Sequence, residues 1–150
     1  MSYLKNHPIN PDWLIKGVTK ETVKYAEELA KHLVEEKTGA RGYEIYPLTT
    51  SQLRKFFGAV KNLQMNIIVN GFSEGEFVML KPKLAYAVGR VRQKNKLCPD
   101  IRIEVFADVI SNAIDIVNNT SDKKTAFKNF ISFFEAIVAY HKHYGKDNIK

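Results

Sequence analysis

The chain has 150 residues, 45% apolar and 26% charged, with a formal net charge of +7. That length suits one folded domain, and the composition excludes disordered and collagen-like classes. No apolar run approaches the roughly 20 residues that cross a bilayer, and a single cysteine, Cys98, excludes an internal disulfide framework or a thiolate zinc cluster. Lys5, Pro8 and Pro11 interrupt any early apolar segment of signal-peptide type, so a cytoplasmic protein is expected.

The charge is concentrated. Residues 1–50 carry seven Lys/Arg and seven Asp/Glu, and residues 98–150 carry the same. Residues 51–97 carry nine basic residues against Glu74 and Glu76, which accounts for the whole excess. A local cluster of this sign is the footprint of a polyanion binder, with nucleic acid the commonest partner.

Pro8 and Pro11 predict an extended arm over residues 1–18, with Trp13-Leu14-Ile15 as its anchor. The first helix is expected from about 20 to 37. Thr19 is its N-cap, Val18 and Val23 form a staple, and Val23, Ala26, Ala30, Leu33 and Val34 are its buried face. Gly39 and Gly42 end it. A second helix opens at Thr49, with capping-box spacing to Gln52 and a stripe of Leu53, Phe56, Phe57, Val60 and Leu63. Ile67-Ile68-Val69 followed by Asn70-Gly71 predicts a loop, or at most a short strand pair, over 64–79.

The third helix is expected over about 81–96, with Pro82 in its first turn. Leu80, Leu84, Ala87, Val88 and Val91 form its apolar centre. At 100° per residue Lys83, Arg90 and Lys94 fall on one edge, with Lys81 and Arg92 on the other. A fourth helix is expected from Pro99-Asp100 to about 118, with Ile103, Phe106, Ile110, Ala113 and Val117 inward and Asp100, Glu104, Asp108 and Asp115 outward. A fifth runs from about 122 to 144 on Phe127, Phe130, Ile131, Phe134, Ile137 and Val138. The expected fold is therefore all-α, a compact bundle of about five helices forming a single domain over 19–150 behind the arm. Adjacent Phe56-Phe57 and Phe133-Phe134, with Trp13 and Tyr140, suit either a wide core or a protein-binding surface.

Catalytic chemistry finds little support. His141 and His143 are two apart on a helix and face different ways, so they cannot readily share a metal. The acidic row of the fourth helix lies on a convex face, whereas a two-metal nuclease needs converging carboxylates. No phosphate-loop, dinucleotide or serine-elbow motif is present. No catalytic residue, metal or cofactor is expected. The RNA-contact candidates are Arg54, Lys55, Lys61, Lys83, Arg90, Arg92 and Lys94. The competing readings are a protein-only adaptor and a small Mg-dependent ribonuclease using the fourth-helix carboxylates.

Three ordered blocks carry a resemblance. They are Leu48-Thr-Thr-Ser-Gln-Leu-Arg-Lys-Phe-Phe57, Leu80-Lys-Pro-Lys-Leu-Ala-Tyr-Ala-Val-Gly-Arg90 and Phe133-Phe-Glu-Ala-Ile-Val-Ala-Tyr-His-Lys-His-Tyr-Gly145. Together they resemble the small subunit of the type III-A CRISPR–Cas effector, the Csm complex, over about residues 45–145. The resemblance implies an all-helical, non-catalytic subunit that stacks with its own copies in a minor filament. It also implies contact with the other Csm subunits, the CRISPR RNA ribonucleoprotein and target RNA in antiviral defence, with no membrane partner. Carried over by position, Arg54, Lys55, Lys83 and Arg90 are the RNA contacts, and the third block is core and subunit contact rather than an RNA site at His141. Binding any target sequence calls for phosphate and sugar contacts rather than base edges.

Overall fold

Two prolines rule out a continuous helix at the start of the chain, and the chain responds with two short ones. The computed structural model describes residues 3–145. Tyr3–Asn6 form α1 and Asp12–Ile15 form α2, with Pro11 at the α2 cap. The expected extended arm is therefore corrected. Trp13 and Leu14 are buried, α2 lies on the last two helices, and the Asn129 side-chain amide donates to the Leu14 carbonyl at 2.8 Å. The Tyr25 hydroxyl donates to the His7 carbonyl at 2.7 Å. Burial of a tryptophan and a leucine outweighs the entropy that a free arm would keep.

Lys20–Leu33 form α3, capped by a reciprocal pair: Thr19 accepts from the Thr22 N–H, and Thr22 Oγ1 accepts from the Thr19 N–H at 2.9 Å. That bond satisfies the Thr22 hydroxyl, so Thr22 turns inward with Ala26, Leu29, Ala30 and Leu33. The expected face is thereby rotated, and Val23 is exposed instead. The helix also stops earlier than expected. Residues 37–39 and 42–46 form an antiparallel pair, β1 (Lys37–Gly39) and β2 (Gly42–Tyr46), turning at Gly42, whose φ of +110° suits glycine. A two-residue strand, β3 (Asp100–Ile101), joins β2 in parallel through Ile45 and Tyr46. The all-helical expectation thus gains a small three-stranded sheet.

Thr50–Asn70 form α4. Its start is the expected capping box, with Gln52 N–H donating to Thr49 Oγ1 at 3.1 Å and Thr49 N–H to Gln52 Oε1 at 3.0 Å. The helix continues through 64–70, where a loop or strand pair was expected. Extending an existing helix adds one bond per residue ordered, so β-branched Ile67-Ile68-Val69 does not stop it. Gly71, at φ +88°, does. Ser73 then caps α5 (Glu74–Val78), which buries Phe77, and α6 follows over Leu80–Lys94. The central helix α7 spans Arg102–Asn118, and Asp122 caps α8 (Lys123–Tyr144) by accepting from the Thr125 N–H.

Arg102 ties the sheet to the bundle. Its side chain is only 5% exposed. It donates to the His32 carbonyl at 2.5 Å, to Glu35 at 2.7 Å, and to both oxygens of Asp100 at 3.1 Å. Burial works against its charge, but the bonds and charges of Asp100 and Glu35 outweigh burial and raise its pKa. One guanidinium thus joins the end of α3, β3 and the start of α7.

Arg102→Met removes these charge-assisted bonds, leaving the half-exposed carboxylates to water. It should cost about 2 kcal/mol in a urea melt. His32, beside Arg102, has its pKa lowered below 6.5, chiefly by burial and then by the guanidinium. The unfolded chain therefore takes up the proton more readily. Stability from this group is full above pH 6.5 and is lost as pH falls below it. Melts of wild type and His32→Asn between pH 5 and 8 should show a shallower acid loss in the variant, in steps of about half a unit.

Candidate nucleic-acid interface

The start of α4 lies beside the end of α6, and a groove of about 410 Å³ opens between the two helices. Its floor is apolar: Phe56 and Ala59 of α4, Ala87 and Val91 of α6, and Ile103 of α7. Its rim is basic. Lys55 stands on the α4 side, and Lys83, Arg90 and Lys94 stand along α6. No acidic side chain lines it. The α4 N-terminus enters at one wall through Thr49, Ser51 and Gln52, where the helix dipole is positive. A second cleft shares Lys55, Ala59 and Lys83 and carries the depression on past Gly58, Asn62 and Asn66 to Glu76, whose carboxylate accepts from the Asn66 amide at 2.6 Å.

The sequence candidates divide into two sets. Lys55, Lys83, Arg90 and Lys94 meet in the groove. Their meeting on α6 follows from the 3.6-residue repeat, and Lys83 to Lys94 spans about 16 Å of helix. Arg54 is exposed on α4 beside Lys55, outside the groove lining. Lys61 and Arg92 have other partners. Lys61 Nζ lies 2.5 Å from Glu135 on α8 and over the Phe57 ring. Arg92 donates to the Cys98 carbonyl at 2.6 Å and pairs with Glu104 at 3.4 Å, closing the α6–α7 connection. Lys81 pairs with Asp115 at 2.6 Å. A guanidinium or ammonium held by a carboxylate offers little net charge to a polyanion.

The acidic row expected on the fourth helix is used in ion pairs: Asp100, which lies on β3, with Arg102, and Glu104 and Asp115 of α7 with Arg92 and Lys81. Asp108 has its pKa raised by burial and by Glu104. Among the described residues no group of three or more His, Cys, Asp or Glu side chains is arranged to hold a metal. Cys98 is buried in the α6–α7 turn. Phe56, Phe133, Phe134 and Trp13 are core residues, so the aromatic-surface alternative does not apply to them.

Tyr46 of β2 is the groove residue that charge counting does not find, whereas the helical repeat already places Tyr86 of α6 beside the Lys83–Arg90 stripe, and it too lines the groove. Burial, Tyr43 and a Gln52 hydrogen bond act on the Tyr46 hydroxyl, and its pKa is raised. Tyr86 is 69% exposed, and the Arg90 guanidinium sits over its ring at 6.0 Å. His141, by contrast, is buried, and its Nε2 lies 2.6 Å from the Leu48 carbonyl. A carbonyl only accepts, so the ring carries its proton on Nε2. The Leu48 N–H donates to the Leu33 carbonyl at 2.8 Å. These two bonds hold the segment immediately before the α4 cap, and so fix where the groove wall begins.

A family model described as Csm2 Type III-A matches residues 16–147. No curated protein and no solved structure gives a match. Among the described residues no helix is long and apolar enough to cross a membrane.

Thr49→Ala should lower stability by about 1 kcal/mol in chemical denaturation through loss of the α4 cap. Phe56→Ala should cost about 3–5 kcal/mol, because it empties the space between α4 and α8 beneath the groove.

Proposed function

The chain belongs to the Csm2 family, the structural small subunits that assemble with other Csm proteins in type III-A CRISPR ribonucleoprotein effectors, and on that premise we propose that it binds target RNA along the guide duplex through the groove between α4 and α6. In this reading the subunit has no catalytic role and stacks with its own copies in a filament of the cytoplasmic particle. The RNA contact is made to phosphates, by Lys55, Lys83, Arg90 and Lys94, with Arg54 at the margin. Lys61 and Arg92 are reassigned as structural.

One observation carries the proposal: four cations from two helices line a single groove with no carboxylate among its lining residues. Such a rim attracts a polyanion by release of condensed counterions and discriminates poorly among bases. The α4 N-terminus supplies further N–H donors of the kind that suit phosphate oxygens. Few phosphates are engaged per copy, so affinity grows by repetition along the assembly.

Fluorescence anisotropy with a single-stranded RNA tests this. With about four phosphates engaged, log affinity should fall with log salt at a slope near −3. The variant carrying Lys55→Gln, Lys83→Gln, Arg90→Gln and Lys94→Gln should lose most of its binding and its salt dependence, with its helical melt unchanged. Lys61→Gln should leave binding as in wild type. Wild-type binding by the quadruple variant overturns the assignment.

A further inference from the structure

The groove has more apolar surface than a phosphate track needs. Phosphates would be served by cations on a convex helix edge. Here the cations instead border a trough whose floor is Phe56, Ala87, Val91 and Ile103, and whose volume lies within the roughly 300–1,000 Å³ typical of small-ligand sites. Ala59 of α4 and Ala87 of α6 line it with small side chains, which leave the trough open. Tyr86 stands in its wall, an exposed aromatic ring beside Arg90. The guanidinium lies 6.0 Å from the ring centroid, a weak cation–π contact at an exposed site that biases the ring towards this position.

Resting on the RNA reading above, we infer that the groove seats an unpaired nucleobase, stacked on Tyr86 and laid over the apolar floor, while Lys55 and Lys83 hold the phosphates on either side. The ligand class is a ribonucleotide segment with one base turned out of the guide duplex towards the protein. The seat takes any base, because every base has a π-face and the floor offers no base-edge code. The exposed tyrosine beside the basic rim favours this occupant over an acidic peptide. A peptide carboxylate answers the rim but has no flat group for the tyrosine, whereas a nucleotide answers both.

The test compares an oligouridine with an abasic ribose-phosphate oligomer of equal length, titrated at low salt with the full 150-residue chain in excess. Wild type should bind the base-bearing oligomer about tenfold more tightly. Tyr86→Ala should abolish that difference, and Tyr86→Phe should restore it. Ala87→Leu should also abolish it by filling the trough while every cation stays in place. Equal binding of both oligomers by wild type overturns the base seat and leaves the phosphate role standing. A base preference that survives both Tyr86→Ala and Ala87→Leu also overturns it, since the base then lies elsewhere. Binding of neither oligomer, with capture of a polyglutamate peptide instead, overturns the RNA reading itself and the base seat with it.

Discussion

Edge-to-face contact among phenylalanines determines where the helices of this protein lie. Phe56 of α4 meets Phe106 of α7 and Phe134 of α8 at 5.7 Å in each case. Phe77 of α5 meets Phe130 and Phe127 of α8 at 5.1 and 5.4 Å. These rings bury large area and prefer edge-to-face or offset geometry, so they set angle as well as proximity. The hairpin of α4, α5 and α6 is therefore pinned at both ends to the α7–α8 pair. The groove is the space left between two helices that each pack downwards onto the aromatic core.

The electrostatics follow from that arrangement. Once α4 and α6 are laid down, Lys61 comes beside Glu135, Lys81 beside Asp115 and Arg92 beside Glu104. Each pair bridges two elements, and each is partly open to water, so each contributes modestly to stability. Their larger effect is to sort the positive charge. The cations near α7 and α8 meet carboxylates, while those facing into the α4–α6 groove meet none among its lining residues. Four of the nine basic residues of the middle third are thereby brought together in one groove.

Membership of a ribonucleoprotein assembly suits such a surface. In the role proposed above, a subunit repeated along a guide duplex would have to accept any sequence, which favours contact with the uniform parts of the polymer. The buried Arg102 cluster and the Leu48 clamp lie away from the groove lining and act on its frame, holding the sheet and the start of α4 to the bundle. Tyr46 belongs to both, since it lies on β2 and lines the groove.

How much of this was legible in the chain depends on the range of the interaction. The caps at Thr19, Thr49 and Asp122, the Leu53-Phe56-Val60-Leu63 stripe and the long phenylalanine face of α8 are written in neighbours three and four residues apart, and periodicity reads them directly. The Tyr43-Glu44-Ile45-Tyr46 alternation carried a strand signal that the flanking glycines obscured, and its partner Asp100-Ile101 is too distant and too short to announce itself. The rotation of α3 and the docking of Trp13 depended on what each residue met across the core. So the sequence by itself determined the apolar stripes of the long helices, the caps at Thr19 and Thr49, the basic middle third and the family. Only the tertiary structure decided which cations would stay unpaired, because Lys61 and Glu135 stand 74 residues apart and only folding brings them within 2.5 Å.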